Sequence, residues 1–337
     1  MTVVVTGADG FIGSAWCVHA RAAGRPLREW VRATRPRRAA HALAAESAES
    51  PRVTAAIDLE TAPHVALVAA LAGARAVVHL AGRAHRIGES SFDEAMHGPN
   101  VEATRRLARA AIEARVARFV FASSIKVHGE ATPPGRPFRS DDPLAPEDAY
   151  ARSKAAAEAA LLAAAEGTPM QAVILRLPLV YGRGATGNFG RLVDAVATGR
   201  WLPLASIDNR RSLLSLANLM VALDAALDAS PVPASAGGAG RVASQRHLVA
   251  DADSVSTPQL VRAIAAALGV GARLLPFPVA ALRLIGAATN RAGTIARLTD
   301  SLEADTASFT AWTGWRPRQF AIDRAMVDER CRVQSAE

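Results

Sequence analysis

The sequence predicts an α/β fold, in which a doubly wound parallel sheet is joined to a smaller, mostly helical domain. Short apolar runs alternate with helical patterns through the first half of the chain, and this alternation is typical of βαβ units. A glycine-rich turn follows the first apolar run directly, and from Val255 onward the apolar spacing becomes helical. The length of 337 residues suits one large domain or two integrated ones.

The predicted strands are the short apolar runs, and several segments between them have helical spacing. The strands cover residues 3–6, 27–31, 53–57, 76–80, 118–122 and 172–177, and the helices cover 15–23, 101–114 and 150–165. We expect the segments 211–216, 217–229 and 247–250 to extend the same layer. Residues 230–240, rich in Pro, Gly and Ser, are expected to form a loop.

The last third of the chain is predicted to be short helices. Pro258 suits the first position of a helix that runs to about Ala267, and Gly269 would end it. Beyond it, to about residue 320, we expect helical pieces separated by turns at Pro276, Pro278 and Gly314.

Composition excludes several classes of protein. Half of the residues are hydrophobic, so a disordered chain is not expected. The most apolar stretch, 277–289, is interrupted by Arg283 and is shorter than the roughly 20 residues that a membrane helix needs. Without a recognisable cleavable leader, a cytoplasmic protein is expected. Cys17 and Cys331 lack the spacing of a zinc site or a disulfide framework, so no metal is predicted.

The net charge of +8 raises the question of nucleic-acid binding. The cations are spread along the chain, and the one dense basic run, 32–38, has no interleaved aromatic residues, so no nucleic-acid partner is expected. Lys126 and Lys154 are the only lysines among 39 basic residues, and Tyr150 and Tyr181 are the only tyrosines. A retained lysine can mark a position that a guanidinium does not fit.

The glycine-rich turn is predicted to bind a dinucleotide. It reads Gly7-Ala8-Asp9-Gly10-Phe11-Ile12-Gly13 and stands between the first strand and a helix. Glycines there permit a tight turn and let a pyrophosphate approach the helix N-terminus. The tip of the second strand carries Arg32 and Arg35 and no carboxylate, which favours NADP(H), with NAD(H) as the alternative. A solvated basic turn remains the other interpretation.

A second motif predicts acid–base chemistry. Tyr150 and Lys154 are separated by one helical turn, so the ammonium can lie near the phenol and lower its pKa. Upstream, the strand at 118–122 runs into Ser123 and Ser124. A strand-end hydroxyl can also satisfy local backbone groups.

The chain resembles the extended short-chain dehydrogenase/reductases, in the NAD(P)-dependent epimerase/dehydratase family. The resemblance rests on the Gly-x-x-Gly-x-x-Gly turn, on Tyr-x-x-x-Lys and on the shorter motifs Asp58-Leu59, Leu80-Ala81-Gly82, Asn100-Val101, Arg176-Leu177-Pro178 and Gly314-Trp315. It covers nearly the whole chain, with Ala103 and Val31 departing from the usual Gly and Asp. It implies a Rossmann domain over 1–177 and 211–250 and a nucleotide-sugar-binding domain over 178–210 and 251–330.

The resemblance also implies residue roles. Catalysis would fall to Ser124, Tyr150 and Lys154. The cofactor would contact Gly7, Gly10, Phe11, Ile12, Gly13, Arg32, Arg35, Asp58, Leu59, Leu80, Ala81, Gly82, Tyr150, Lys154 and Pro178. A UDP-sugar substrate would contact His85, Ser123, Ser124, Lys126, Asn188, Phe189 and Arg211. Lys126 either faces the sugar or its diphosphate, or lies in a solvent-facing loop.

The departures from the family pattern narrow the expected chemistry. Sugar dehydratases carry Thr-Asp-Glu where this chain has Ser124-Ile125-Lys126, so dehydration is not expected, and His128 replaces a frequent Tyr. The best-supported expectation is reduction of a UDP-4-keto-6-deoxy-N-acetylhexosamine in surface-polysaccharide synthesis. The alternatives are a UDP-hexose 4-epimerase and, more distantly, a non-catalytic NADP-sensing regulator. The resemblance implies a homodimer through helices 101–114 and 150–165.

Overall fold

The main sheet has seven strands, all parallel. The structure is a computed structural model, and it describes residues 2–32, 53–83, 96–233 and 242–327. The strands, numbered along the chain, are β1 (Val3–Thr6), β2 (Leu27–Val31), β3 (Val53–Ala56), β4 (Ala76–His79), β5 (Arg118–Ser124), β6 (Gln171–Leu177), β7 (Leu179–Tyr181), β8 (Arg211–Ser215), β9 (Gln245–Leu248) and β10 (Ser254–Val255). The order in the main sheet is β3-β2-β1-β4-β5-β6-β9, which confirms the predicted doubly wound sheet.

A second, smaller sheet contains β10, β8 and β7, in that order. The expectation that residues 211–216 extend the main layer is therefore wrong. The position beside β6 is taken by β9, while β8 pairs in parallel with β7 and antiparallel with β10. The predicted contribution of 247–250 is correct in part, because β9 begins at Gln245 and ends at Leu248.

The helices cover both faces of the sheet and build the smaller unit. They are α1 (Phe11–Ala22), α2 (His64–Leu71), α3 (Ala103–Glu113), α4 (Ala149–Ala165), α5 (Gly187–Ala197), α6 (Leu216–Asp228), α7 (Thr257–Leu268), α8 (Val279–Ala288), α9 (Ala292–Thr299) and α10 (Ala307–Thr313). The predicted helix 101–114 starts within a π-helical turn, His97–Glu102, before α3. Gly269 ends α7 with a φ of 72°, as predicted. None of the helices in the described ranges is long and apolar enough to cross a bilayer.

Alternation along β1 builds a core on each side of the sheet. Val3 and Val5 pack with Trp16 of α1, whereas Val4 packs on the opposite face with Leu107 of α3. A third core, around Tyr181 and Phe189, belongs to the smaller unit. Strands β2 and β4 lie on opposite sides of β1, so the strand order reverses there. Such a switch point opens a crevice at the carboxyl ends of the strands. The sequence motifs lie along this edge.

Candidate active site

The glycine turn lies at the carboxyl end of β1. Gly7 has a φ of +68°, and a Cβ there would come within 2.8 Å of the Ala81 nitrogen. A Cβ on Gly13 would lie 2.1 Å from the Gly7 oxygen. Gly10 is the N-cap of α1, and no side chain caps this end of the helix. The turn thus holds α1 against the end of β4 and leaves its first amides for an anion.

The two residues between Gly10 and Gly13 pack against different cores. Ile12 is partly buried against the sheet core, and Phe11 is partly buried against the core of the smaller unit. Phe11 therefore connects the glycine turn with the smaller unit. Pro178 is buried between β6 and β7, where it separates the two sheets.

The end of β4 approaches the predicted catalytic helix. The Leu80 backbone nitrogen donates to the Thr6 carbonyl oxygen at 3.2 Å, and the Ala81 backbone nitrogen donates to the Thr6 hydroxyl oxygen at 3.3 Å. A Cβ on Gly82 would stand 3.5 Å from the Lys154 Nζ. The predicted cofactor strand and the predicted catalytic lysine are thus in contact.

A buried histidine ties the same strand end to α3. The His79 ring bonds to the Thr6 hydroxyl at 2.7 Å and to the Thr104 hydroxyl at 3.0 Å. Because Thr104 donates to the Asn100 carbonyl at 2.6 Å, we assign the proton to Nε2 of His79. Burial, and secondly the Lys154 charge, lower the His79 pKa to about 3, so the ring is neutral.

A carboxylate accompanies the arginine at the tip of β2. The Arg32 guanidinium lies 3.4 Å from the Glu60 carboxylate, which comes from the loop after β3. Asp58, in the same loop, accepts a bond from the Glu60 nitrogen at 2.9 Å, and Leu59 packs against the α2–α3 core. The expectation that no carboxylate is available at this tip is wrong, because Glu60 reaches Arg32 from a different segment of the chain. Arg35 lies outside the described residues.

Ser124, Tyr150 and Lys154 are brought together at the ends of β5 and α4. The Lys154 side chain is buried, donates to the Ala122 carbonyl at 2.9 Å and lies 4.7 Å above the Phe121 ring. Its Nζ is 6.0 Å from the centre of the Tyr150 ring. The Ser124 hydroxyl lies near enough to the Tyr150 phenol to lower its pKa.

The electrostatics of this group differ from the expectation. The pKa of Tyr150 is raised to about 12, chiefly by burial and then by the Asp148 charge, while the Ser124 bond opposes the rise. The predicted lowering by Lys154 is wrong for this arrangement, because burial and the Asp148 charge raise the Tyr150 pKa. Burial likewise lowers the Lys154 pKa to about 8, opposed by Glu158.

Ser123 lies in a buried polar network away from Tyr150. Its hydroxyl donates to Glu158 at 2.5 Å, and Glu158 pairs with Arg176 at 2.7 Å. Arg176 also donates to His128 at 2.9 Å. The expected substrate role for Ser123 is corrected by this geometry, because the hydroxyl is already engaged in the core. Sequence reasoning missed Glu158, although it shares a helical face with Lys154.

Lys126 is partly exposed, with 20% of its side chain accessible, and its ammonium pairs with two carboxylates. Its Nζ pairs with Asp148 at 2.5 Å and with Glu130. Both carboxylates were missed by sequence reasoning. Asp148 was recognisable as the residue that caps α4, since its side chain accepts from the Ala151 nitrogen at 2.7 Å.

The remaining substrate candidates come from the smaller unit. Asn188 is exposed in the first turn of α5, while the Phe189 side chain is buried, with its ring centre 5.7 Å from that of Tyr181. Only the backbone of Phe189 can therefore serve a ligand. Arg211, at the start of β8, donates to the Asp300 carbonyl at 2.8 Å. His85 lies outside the described residues.

Comparisons with known proteins show the family of this chain. Residues 3–235 match the model of the NAD dependent epimerase/dehydratase family. The chain is 38% identical over 246 residues to UDP-glucose 4-epimerase of Vibrio cholerae, covering 72% of each chain. It is 32% identical over 260 residues to dTDP-6-deoxy-L-talose 4-dehydrogenase (NAD(P)(+)) of Kitasatospora kifunensis, covering 73% of this chain and 76% of that one.

A solved structure supports the same assignment along the full length. MoeE5 in complex with UDP-glucose and NAD superposes with a TM-score of 0.74 at 25% identity, covering 100% of both chains. The fold and site define an extended short-chain dehydrogenase/reductase. The chain belongs to the NAD-dependent epimerase/dehydratase family and is an enzyme of that family.

Proposed function

We propose that this enzyme interconverts a hydroxyl and a keto group at C4 of a UDP-linked hexose. The observation that carries the proposal is the Ser124, Tyr150 and Lys154 group beside Gly82 and the glycine turn. The names of both curated relatives specify position 4 of a nucleotide-linked sugar. Retention of Tyr150 and Lys154 argues against a non-catalytic sensor.

The residues fit a nicotinamide dinucleotide, which when bound accepts or supplies the hydride. Gly7, Gly10 and Gly13 form a cradle that a Cβ at either outer position would fill. Tyr150 exchanges the proton of the sugar oxygen, and Ser124 orients that oxygen. With its pKa raised to about 12, Tyr150 is protonated at neutral pH and ready to donate. Lys154, held by the Ala122 carbonyl, keeps a cation beside the phenol.

The first candidate is a UDP-hexose 4-epimerase that uses NAD(H). The sequence favours NADP(H) because no carboxylate lies near Arg32 along the chain. In the fold, however, the Glu60 carboxylate lies 3.4 Å from the Arg32 guanidinium. The V. cholerae relative carries the epimerase name, and the MoeE5 structure holds NAD. Arg211 and the first turn of α5 would bind the diphosphate.

The second candidate is reduction of a UDP-4-keto-6-deoxy-N-acetylhexosamine in surface-polysaccharide synthesis. Arg32 favours it, because its planar guanidinium suits a 2′-phosphate. The name of the K. kifunensis relative specifies use of NAD(P)(+). A reductase consumes one nucleotide per turnover, whereas an epimerase regenerates it internally, so the two candidates differ in cofactor balance.

Cofactor release and turnover distinguish the candidates. The purified protein is denatured and the released nucleotide identified, and then UDP-glucose and UDP-galactose are tested alongside the 4-keto sugar with NADPH. Retained NAD with sugar interconversion and no net consumption supports the epimerase. Stoichiometric NADPH consumption without retained NAD supports the reductase. Inactivity towards all of these sugars would overturn the proposal.

The residue roles are tested by removing the phenol. We expect Tyr150→Phe to lower kcat by about 10²–10⁴-fold, the usual contribution of a positioned acid–base group. Tyr181→Phe is the matched control, because the other tyrosine bonds to Asp251 at 2.7 Å in the core of the smaller unit. It should lower thermal stability and leave kcat within a few fold. Equal kcat losses in both variants would contradict the assignment.

A further inference from the structure

Lys126 is tied to the catalytic serine through its backbone. It lies in the 3-10 turn Ile125–Val127 that follows β5 directly, and its nitrogen donates to the Ser124 hydroxyl oxygen at 3.3 Å. Its side chain then reaches away from β5 to Asp148, at the start of α4. One residue thus connects the two elements that supply Ser124 and Tyr150.

Asp148 has two separate contacts through its two oxygens. Oδ1 accepts from the Ala151 nitrogen at 2.7 Å and caps α4, while Oδ2 binds the Lys126 ammonium at 2.5 Å. The carboxylate stands two residues before Tyr150, and its charge raises the pKa of that phenol. The capping carboxylate therefore orders the helix and at the same time disfavours the phenolate.

The other charges around this group come from several elements. Lys154 lies on α4 with Tyr150, and Glu158 acts on Lys154 from one turn further along. From the loop after β5, Glu130 pairs with Lys126, and its other oxygen lies 3.8 Å from Arg297 of α9. Arg211 at the start of β8 also feels the Glu130 charge. Lys126 thus stands between two carboxylates, of which only Asp148 adjoins Tyr150.

We propose that Lys126 is a positioning residue for Tyr150, which holds the Asp148 carboxylate in its capping geometry and offsets its charge, and so sets how readily the phenol gives up its proton. The proposal deepens the proposed function, because it rests on Tyr150 as the acid–base group. A compact ammonium can approach two carboxylates at once. This geometry accounts for one of the two lysines in a chain that otherwise uses arginine.

The test follows the phenol itself and needs no substrate. The full chain is labelled with 3,5-difluorotyrosine, which lowers the phenol pKa into a range where the fold persists, and is titrated by 19F NMR. Two tyrosines give two resonances, which Tyr150→Phe and Tyr181→Phe assign. We expect Lys126→Met to raise the Tyr150 pKa by about half a unit to one unit, since the charges are partly exposed and screened.

A double-mutant cycle separates positioning from a distant charge effect. Asp148→Asn retains a capping side chain and should lower the Tyr150 pKa. In that background Lys126→Met should shift the pKa by less than half as much as in the wild type, because no carboxylate remains to be held. Lys126→Arg keeps the charge but not the compact ammonium, and its Tyr150 pKa should lie between the wild-type and Lys126→Met values. Equal shifts in both backgrounds would overturn the positioning role.

Arg25→Met is the matched control, since it removes one cation from an ion pair with Asp228 at 2.7 Å. Arg25 precedes β2 and lies at the sheet edge opposite the site, so the Tyr150 resonance should titrate unchanged. A Tyr150 pKa unaffected by Lys126→Met overturns the inference, whatever the activity. A shifted pKa in a protein inactive towards nucleotide sugars leaves the inference standing and contradicts the proposed function.

Discussion

Lys154 carries a buried charge at the site. Its ammonium is enclosed by the Phe121 ring, the Ala122 carbonyl and the Tyr150 ring. Few groups near it compensate the charge, and burial therefore lowers its pKa from 10.5 to about 8.

The buried ammonium predicts a pH-dependent stability. Because the folded pKa lies below the unfolded one, the native state binds fewer protons between about pH 8 and 10.5, and stability rises with pH there. We expect the free energy of unfolding of the wild type to rise relative to Lys154→Met across that interval and to stay at its lowest relative value below pH 8. Urea unfolding at stepped pH measures it. A constant difference would refute the buried charge.

Glu60 provides a second prediction at this scale, on cofactor choice. Glu60→Gln removes the carboxylate beside Arg32 and should strengthen NADPH binding relative to NADH by about two- to fivefold, the range of an exposed ion pair worth about 0.2–1 kcal/mol. Arg32→Met should shift the ratio the other way. Dissociation constants from fluorescence titration decide it, and an unchanged ratio in both variants would exclude this pair from selectivity.

Polar contacts fix the helix α4 at three points along its length. Asp148 caps its first turn, Ser153 accepts from Asn100 at 2.9 Å, and Glu158 pairs with Arg176 of β6. These contacts fix the rotation of the helix. Tyr150 and Lys154 therefore face the ends of β4 and β5.

The Glu158–Arg176 pair predicts a large stability effect. Both side chains are almost fully buried, at 2% and 3% exposure, so Glu158→Ala would leave an unpaired buried guanidinium and should cost about 3–5 kcal/mol. Glu113→Ala is the matched control, since its pair with His64 is more than half exposed on the Glu113 side, at 61%, and should cost less than about 1 kcal/mol. Chemical denaturation compares them. Similar losses would contradict the difference in burial.

At the scale of the whole molecule, the sheet order places the glycine turn, Gly82 and Ser124 along one edge. Gly7 and Ser124 are more than a hundred residues apart in the chain. The three segments meet because β1, β4 and β5 are parallel neighbours. The smaller unit lies across the same edge through β7, which follows β6 after a single residue.

The outer face of α4 is where the expected homodimer would form. Its exposed positions include Ala156, Ala159 and Ala163, and small side chains permit two helices to approach closely. We expect Ala159→Glu to convert a dimer into a monomer by light scattering, because it would bury an unpaired charge. Ala287→Glu, on an exposed position of α8, is the control and should stay dimeric. A dimeric Ala159→Glu variant would exclude this helix as the contact.

Local patterns predicted the doubly wound parallel sheet well, and less of the site. The apolar runs give the strands within one or two residues, since strand burial is visible as consecutive valines in β1 and β4. The placement of residues 211–216 failed, because one apolar run fits either sheet and only competition with β9 for the β6 edge decides it. The expected substrate contact of Ser123 could not be judged from the sequence either, because adjacent hydroxyls at a strand end have different partners: Ser123 bonds to Glu158, and Ser124 accepts from the Lys126 nitrogen.

The sequence by itself determined the family, the glycine turn and the spacing of Tyr150 and Lys154, since these depend on residues close together in the chain. The tertiary structure alone decided which charges surround them. Glu60 reaches Arg32, Asp148 reaches Lys126 and Glu158 reaches Arg176 across 28, 22 and 18 residues. Burial and charge act through space, so the direction in which the Tyr150 pKa shifts follows from packing and not from the motif.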